Sequence, residues 1–104
     1  MDMEKYTIML PYEGAEEEKQ LNESLKVEEG IEISWNKTKN LDGINVCNIL
    51  GELDHLITLL GSIASIACFC EKRVRIFDSS NKCLKQNIKF KDVIAFLKNM
   101  KKNK

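Results

Sequence analysis

The chain has 104 residues, of which 43% are hydrophobic and 31% are charged. This length suits a single domain, and the composition excludes a disordered polyelectrolyte. The net charge is zero, yet residues 1–32 carry a net −7 and residues 72–104 a net +9, so the two ends can pair with each other, stack head to tail, or meet partners of opposite sign.

The first half of the chain predicts two strands and one helix. Residues 6–10 are β-branched, aromatic or apolar and predict a strand that Pro11 ends. Residues 14–26 predict a mostly exposed helix with acids in its first turns. Residues 31–35 alternate apolar and polar, which predicts a half-buried strand. A polar connection follows over 36–43.

Residues 44–50 are apolar without a clear period. They fit either a strand or the approach to the next helix, and periodicity leaves both open. We therefore predict seven elements with an eighth in question, in the order β-α-β-(β)-α-β-β-α.

Residues 51–70 predict a long central helix whose outer surface carries no charge. The segment 56–70 contains no charged residue and, at fifteen residues, is too short to span a bilayer. A helix that covers one face of a sheet normally shows charge to water, so we expect something to cover the outer side. The predicted core stripe consists of Leu56, Leu59, Leu60, Ile63, Ile66, Ala67 and Cys70. The outer stripes consist of Thr58, Ser62 and Ser65, and of Ile57, Gly61, Ala64 and Cys68.

The last third predicts a hairpin and a helix. Residues 73–77 alternate, 78–81 favour a turn, and 82–88 return as a strand. On the first strand, Arg73, Arg75 and Phe77 share the face opposite the core. Apolar residues at 93, 96, 97 and 100 mark a C-terminal helix. We predict one α+β domain over residues 1–100, a two-layer sandwich of ferredoxin-like general layout with a mostly antiparallel sheet and helices on one face, and a basic tail over 101–104.

The sequence contains no catalytic signature that we recognise. The five glycines never cluster into a phosphate loop, and His55 is the only histidine. His55 with a thiolate of Cys47 or Cys83 is the minimal conceivable catalytic pair, but a capping or surface histidine is the favoured interpretation. A zinc site would draw on the same three residues and one of Cys68 and Cys70, without the paired spacing of such sites. We expect no enzyme activity, no metal, no cofactor and reduced, packed cysteines.

The basic hairpin invites comparison with nucleic-acid-binding surfaces. Only Phe77 interleaves with its arginines, and the calculated isoelectric point of the chain is near 6.6. We therefore expect a protein partner rather than nucleic acid. The charged N-terminus shows no secretory signal, so we expect a cytoplasmic protein without a membrane span. The basic residues on or beside the predicted hairpin are Lys72, Arg73, Arg75, Lys82, Lys85, Lys89 and Lys91.

The pattern from Gly51 onward resembles a known family. A small-residue-rich apolar helix leads into the basic hairpin Arg73-Val74-Arg75-Ile76-Phe77-Asp78, and an amphipathic helix beginning near Asp92 follows. The acidic N-terminal helix also fits. This arrangement resembles the effector-associated constant component family of bacterial conflict systems. The resemblance implies a small α+β protein, encoded beside peptidase-like and other effectors, that acts as a non-enzymatic adaptor.

Two functions therefore stand as hypotheses. The first is an adaptor of a bacterial defence or conflict system, which binds an effector or host protein and could form a homo-oligomer. The second is a small phage- or mobile-element-encoded inhibitor that blocks a host or defence protein through its acidic N-terminal third. The predicted partner-binding residues are Ile57, Thr58, Gly61, Ser62, Ser65, Arg73, Arg75 and Phe77.

Overall fold

A computed structural model describes residues 4–25, 30–36 and 44–103. The predicted end of the first helix at residue 26 and the connection over 37–43 lie outside these ranges. The elements are β1 (Lys5–Glu13), α1 (Gly14–Ser24), β2 (Ile31–Asn36), β3 (Ile44–Glu52), α2 (Leu53–Ile63), α3 (Ala67–Cys70), β4 (Arg73–Phe77), β5 (Cys83–Lys89) and α4 (Phe90–Lys102).

The five strands form one antiparallel sheet in the order β2-β3-β1-β4-β5. The first four strands, with α1 and α2 as the connecting helices, have the split β-α-β arrangement of a ferredoxin-like layout, and β5 and α4 extend it. The two-layer α+β prediction is confirmed. The uncertain segment 44–50 is a strand, and β3 pairs with β1 along its whole length, from Lys5 opposite Glu52 to Glu13 opposite Ile44.

The core lies between the helices and one face of the sheet. Alternate residues of β1, starting at Tyr6, are fully or almost fully buried, as the period of a strand requires. The helices contribute apolar residues to the same cluster, including Leu21 and the residue that follows α1, Leu25. The other strand residues in it are Ile31, Cys47, Ile49, Val74 and Ile76, and the other helical ones are Leu53, Leu56, Leu59, Leu60, Ile63, Phe69, Phe90, Val93 and Leu97.

The expectation that Pro11 ends the first strand is wrong. β1 continues to Glu13, and Pro11 lies opposite Val46 of β3. On its other side β1 pairs with β4 only over Thr7–Met9, so the missing N–H of Pro11 interrupts no rung of that ladder. Proline is tolerated where a strand has no hydrogen-bonding neighbour on one side.

The expectation of one helix through residue 70 is also wrong, because α2 ends at Ile63. The hydroxyl of Ser65 donates to the carbonyl of Ser62 at 2.8 Å, and the N–H of Ile66 bonds to Ile63 at 2.9 Å. Side-chain bonds of this kind compete with helical ones. Ile66 itself has extended dihedral angles, with φ −89° and ψ 111°.

This break changes which residues after position 65 enter the core. Phe69 is fully buried, whereas Ala67 is exposed and Cys70 is half-buried. The extended residue at position 66 rotates the short helix α3 relative to α2. The prediction of the core stripe is therefore correct as far as Ile63. Beyond it, Phe69 is the fully buried residue, where the periodicity predicted Ala67 and Cys70.

The C-terminal helix agrees with its predicted pattern. Val93 and Leu97 are buried and Phe96 and Met100 are half-buried against the core, with Phe90 as an additional buried residue. α4 continues through Lys101 and Lys102, so these two residues of the predicted tail are helical. Within the described ranges no helix is both long and apolar enough to cross a membrane.

Candidate docking surface

The strand order brings apolar residues together on the face of the sheet that points away from the helices. One row across this open face runs from Phe77 through Thr7 to Leu50. The next row runs from Arg75 through Met9 to Asn48, and a third contains Pro11 and Val46. Directly opposed residues of antiparallel strands share a face, so these side chains are neighbours.

No helix of the described chain covers this open face. The buried residues of all four helices belong to the single cluster on the other side of the sheet. On the open face, Met9, Pro11, Val46, Leu50 and Phe77 are only half-buried. An apolar centre left uncovered in this way is a common mark of an interaction site.

Two arginines border the apolar centre. Arg73 donates from Nη1 to the carbonyl of Asn87 at 3.1 Å, which holds its guanidinium towards β5. Arg75 is exposed and has no hydrogen bond or ion pair with any described residue. A groove of about 250 Å³ lies beside both arginines. Its other lining residues are Met9, Pro11, Val46, Val74 and Asn87.

The turn of the hairpin holds β4 and β5 in place. The Asp78 carboxylate oxygen Oδ1 accepts the N–H groups of Ser80 and Lys82, both at 2.9 Å. Asn81 has φ 62°, in the left-handed region that asparagine adopts more readily than most residues. The short polar side chains therefore form the turn without glycine.

The second predicted surface lies on α2 and remains open. Thr58, Gly61 and Ser62 are exposed on this helix, and Ile57 is half-buried. Ser65 is exposed in the turn that follows. Apart from its chain neighbours and the backbone of its own helix, no described atom lies within 4 Å of the position that a Cβ on Gly61 would occupy, so no other element rests there.

These two surfaces are not parts of one site. α2 packs on the covered face of the sheet, whereas Arg73, Arg75 and Phe77 lie on the open face. The structure thus brings together the three hairpin residues, brings together the five residues at and after α2, and separates the two groups by the thickness of the sheet.

Some of the charged residues pair with each other within the chain and are therefore not free to bind a partner. Lys72 bonds to Glu17 of α1 at 2.9 Å, and Lys89 and Lys91 each bond to Glu71 at 3.0 Å. Burial alone would raise the pKa of the Glu17 carboxyl, but the hydrogen bonds from Lys72 and from a backbone N–H outweigh it and lower that pKa. The hydrogen bonds from the two lysines likewise lower the pKa of the exposed Glu71 carboxyl.

The residues considered for chemistry lie in different places. Cys47 is fully buried on β3, where burial raises the pKa of its thiol to about 12. Cys83 is exposed on β5. The half-buried His55 lies in the first turn of α2 beside Gly30, and its Nδ1 has no hydrogen-bond partner among the described residues. Across the described ranges, no three side chains of histidine, cysteine, aspartate or glutamate form a group that could hold a metal ion.

Sequence reasoning missed the apolar half of the open face. Met9, Pro11, Val46 and Leu50 come from strands distant in the sequence, and only the β3-β1-β4 order makes them neighbours of Arg75. The sequence indicated this face only through residues 7, 9 and 11, of which Met9 and Pro11 are apolar although they alternate with the core residues of β1. Comparison with known proteins adds no identity, because no family model, curated protein or solved structure matches the chain.

Proposed function

We propose that this protein is a non-enzymatic protein-binding adaptor whose docking surface is the open face of the sheet. The observation that carries the proposal is the half-buried apolar centre of Met9, Val46 and Leu50, which no described helix covers and which two exposed arginines border. Interfaces combine such a centre with a polar rim, and arginine is enriched among residues that dominate binding energy.

The partner that fits this surface is a protein segment that carries carboxylates next to an apolar side chain. Arginine pairs with carboxylates in a forked, two-bond geometry, and Arg75 has no competing described partner. A nucleic acid fits less well because Phe77 is the only aromatic residue among the open-face rows of β1, β3 and β4. Base stacking normally needs several such rings.

The biological setting is part of the same proposal. The resemblance to the constant components of bacterial conflict systems favours an effector, or a host protein, as the partner. The uncharged residues of α2 and of the turn that follows it, Ile57, Thr58, Gly61, Ser62 and Ser65, then serve as a second contact on the opposite layer. An adaptor needs two such surfaces to join two proteins.

The experiment starts with a pull-down from the native host and continues with the purified partner. Arg73→Glu with Arg75→Glu should weaken binding by about 10–100-fold and flatten its dependence on salt. Lys82→Glu with Lys85→Glu is the matched control, because it makes the same change of charge at exposed positions beside the open face. Thermal melting must show that both variants fold.

Three outcomes would contradict the proposal. The first is a purified partner whose affinity is the same for the arginine variant and the wild type. The second is equal loss in the lysine control, which would indicate net charge rather than a surface. The third is arginine-dependent binding of a single-stranded oligonucleotide with no protein partner.

The inhibitor hypothesis makes a different prediction with the same assay. An inhibitor acting through the acidic N-terminal third would lose its target on Glu16→Lys with Glu23→Lys, two exposed residues of α1. It would keep that target on reversal of Arg73 and Arg75. The two pairs of variants therefore distinguish the adaptor from the inhibitor.

A further inference from the structure

The two edges of the sheet differ in how they resist pairing with another strand. β5 is irregular, because its pairing with β4 shifts register twice and Asn87 has φ 59°. It also carries Lys85 and Lys89. Bulges and lysines are the devices by which natural sheets blunt their edges.

β2, at the other edge, has none of these devices. It pairs with β3 in unbroken register from Ile31 opposite Gly51 to Asn36 opposite Val46. Its only charged residue is Glu32, and it contains no proline or lysine. In the described part of the chain no strand lies on its outer side, so a row of backbone N–H and C=O groups there can receive another strand.

We propose that two copies of the chain pair antiparallel through their β2 edges and form one continuous sheet. The pairing is centred on Ile33, so that this residue meets Ile33 of the second copy. Ile31 then lies opposite Trp35, and Glu32 lies opposite Ser34. The β2 edge is separate from the proposed docking surface, because that surface lies on the open face of the sheet and not at its edge.

The sequence of β2 is self-complementary in this register. All three apolar residues face apolar residues, and no like charges are opposed, which would be destabilising. A register centred on Ser34 would instead leave Ile31 without an apolar neighbour. Ile33 and Trp35 are only half-buried in the single chain, so pairing removes further apolar surface from water.

Among the described residues, a cleft beside the β2 edge leaves room for side chains of a second copy. The cleft of about 440 Å³ between α1 and Trp35 is lined by Glu18 and Lys19, which are opposite in sign, and by Ala15 and Asn22.

The experiment is sedimentation velocity across micromolar to millimolar concentrations. We expect a dimer for the wild type and a monomer for Ile33→Lys and for Ile33→Glu. Because the pairing places residue 33 opposite itself, an equal mixture of these two variants should form the dimer again. Leu84→Lys is the matched control, since it places lysine at a half-buried apolar position of the other edge strand and should leave the dimer intact.

A second variant guards against loss of folding at Ile33. Glu32→Lys with Ser34→Lys changes two exposed side chains and opposes lysines at two rungs, so it should give a folded monomer. Hydrogen exchange should show protection of residues 31–36 that rises with concentration. A wild-type monomer throughout, a dimer that survives Glu32→Lys with Ser34→Lys, or no dimer in the mixture of folded Ile33 variants overturns the proposal.

Discussion

Replacement of Phe69 by alanine tests the break in the chain after α2. The side chain is fully buried in the core, and truncation of a buried phenylalanine costs about 3–5 kcal/mol. A domain of this size has a free energy of unfolding of about 5–15 kcal/mol, so the variant should lose a large part of its stability. Cys70→Ala should cost about 1 kcal/mol or less, because Cys70 is half-buried and its thiol is small. Urea unfolding followed by circular dichroism measures both differences.

The comparison of the two variants carries the test. In an uninterrupted helix from Leu53, the stripe of Leu56, Leu60 and Ile63 would lead to Cys70, and position 69 would face water. A larger loss for Cys70→Ala than for Phe69→Ala would therefore refute the break at Ile63. If Phe69→Ala fails to fold, Phe69→Leu provides the measurement, with an expected cost of about 1 kcal/mol.

Three further predictions concern α2, pH and the thiols. Gly61→Ala should raise the free energy of unfolding by about 0.8–1 kcal/mol in thermal melting, because the new Cβ meets no other element of the chain. It should also weaken binding if a partner packs closely on α2. A destabilised variant would contradict the first expectation. Glu17→Gln should cost about 1 kcal/mol at neutral pH. Folding lowers the pKa of Glu17 below its ordinary 4.5. The difference in free energy of unfolding between Glu17→Gln and the wild type should therefore shrink as the pH falls through 4.5. A difference that stays constant in acid denaturation would contradict the pairing with Lys72. A thiol reagent at mildly alkaline pH should label the exposed Cys83 in the folded protein and Cys47 only on unfolding, and rapid labelling of Cys47 would contradict its burial.

The sequence predicted correctly those elements that bury one side against the core and therefore show the regular period of a strand or a helix. β2 and α4 have such patterns, because each buries one side against the core. The alternation of Val74 with Arg73 and Arg75 likewise identified the outward face of β4. In these segments the local pattern and the tertiary packing impose the same periodicity.

The segment that the sequence left open, and the two expectations that are wrong, lie where tertiary context decides the structure. β3 is central and half-buried on its outer side, so its residues are apolar on both faces and show no clear alternation. Neither glycine nor proline marks the end of α2, where Ser62 and Ser65 take part instead. Whether Pro11 ends β1 depends on how far β4 extends beside it, and no local signal contains that information.

The single tryptophan, Trp35, gives the chain a fluorescence signal that reports on one edge of the sheet. The Trp35 ring meets that of Tyr12 edge-on, with centroids 5.4 Å apart and planes at 84°. It lies at the end of β2, half in water, and far along the sheet from the β4–β5 hairpin. Its fluorescence emission should therefore move to shorter wavelength when something covers the β2 edge and stay unchanged when a ligand binds at the hairpin. One unlabelled sample can thus report which end of the molecule is occupied.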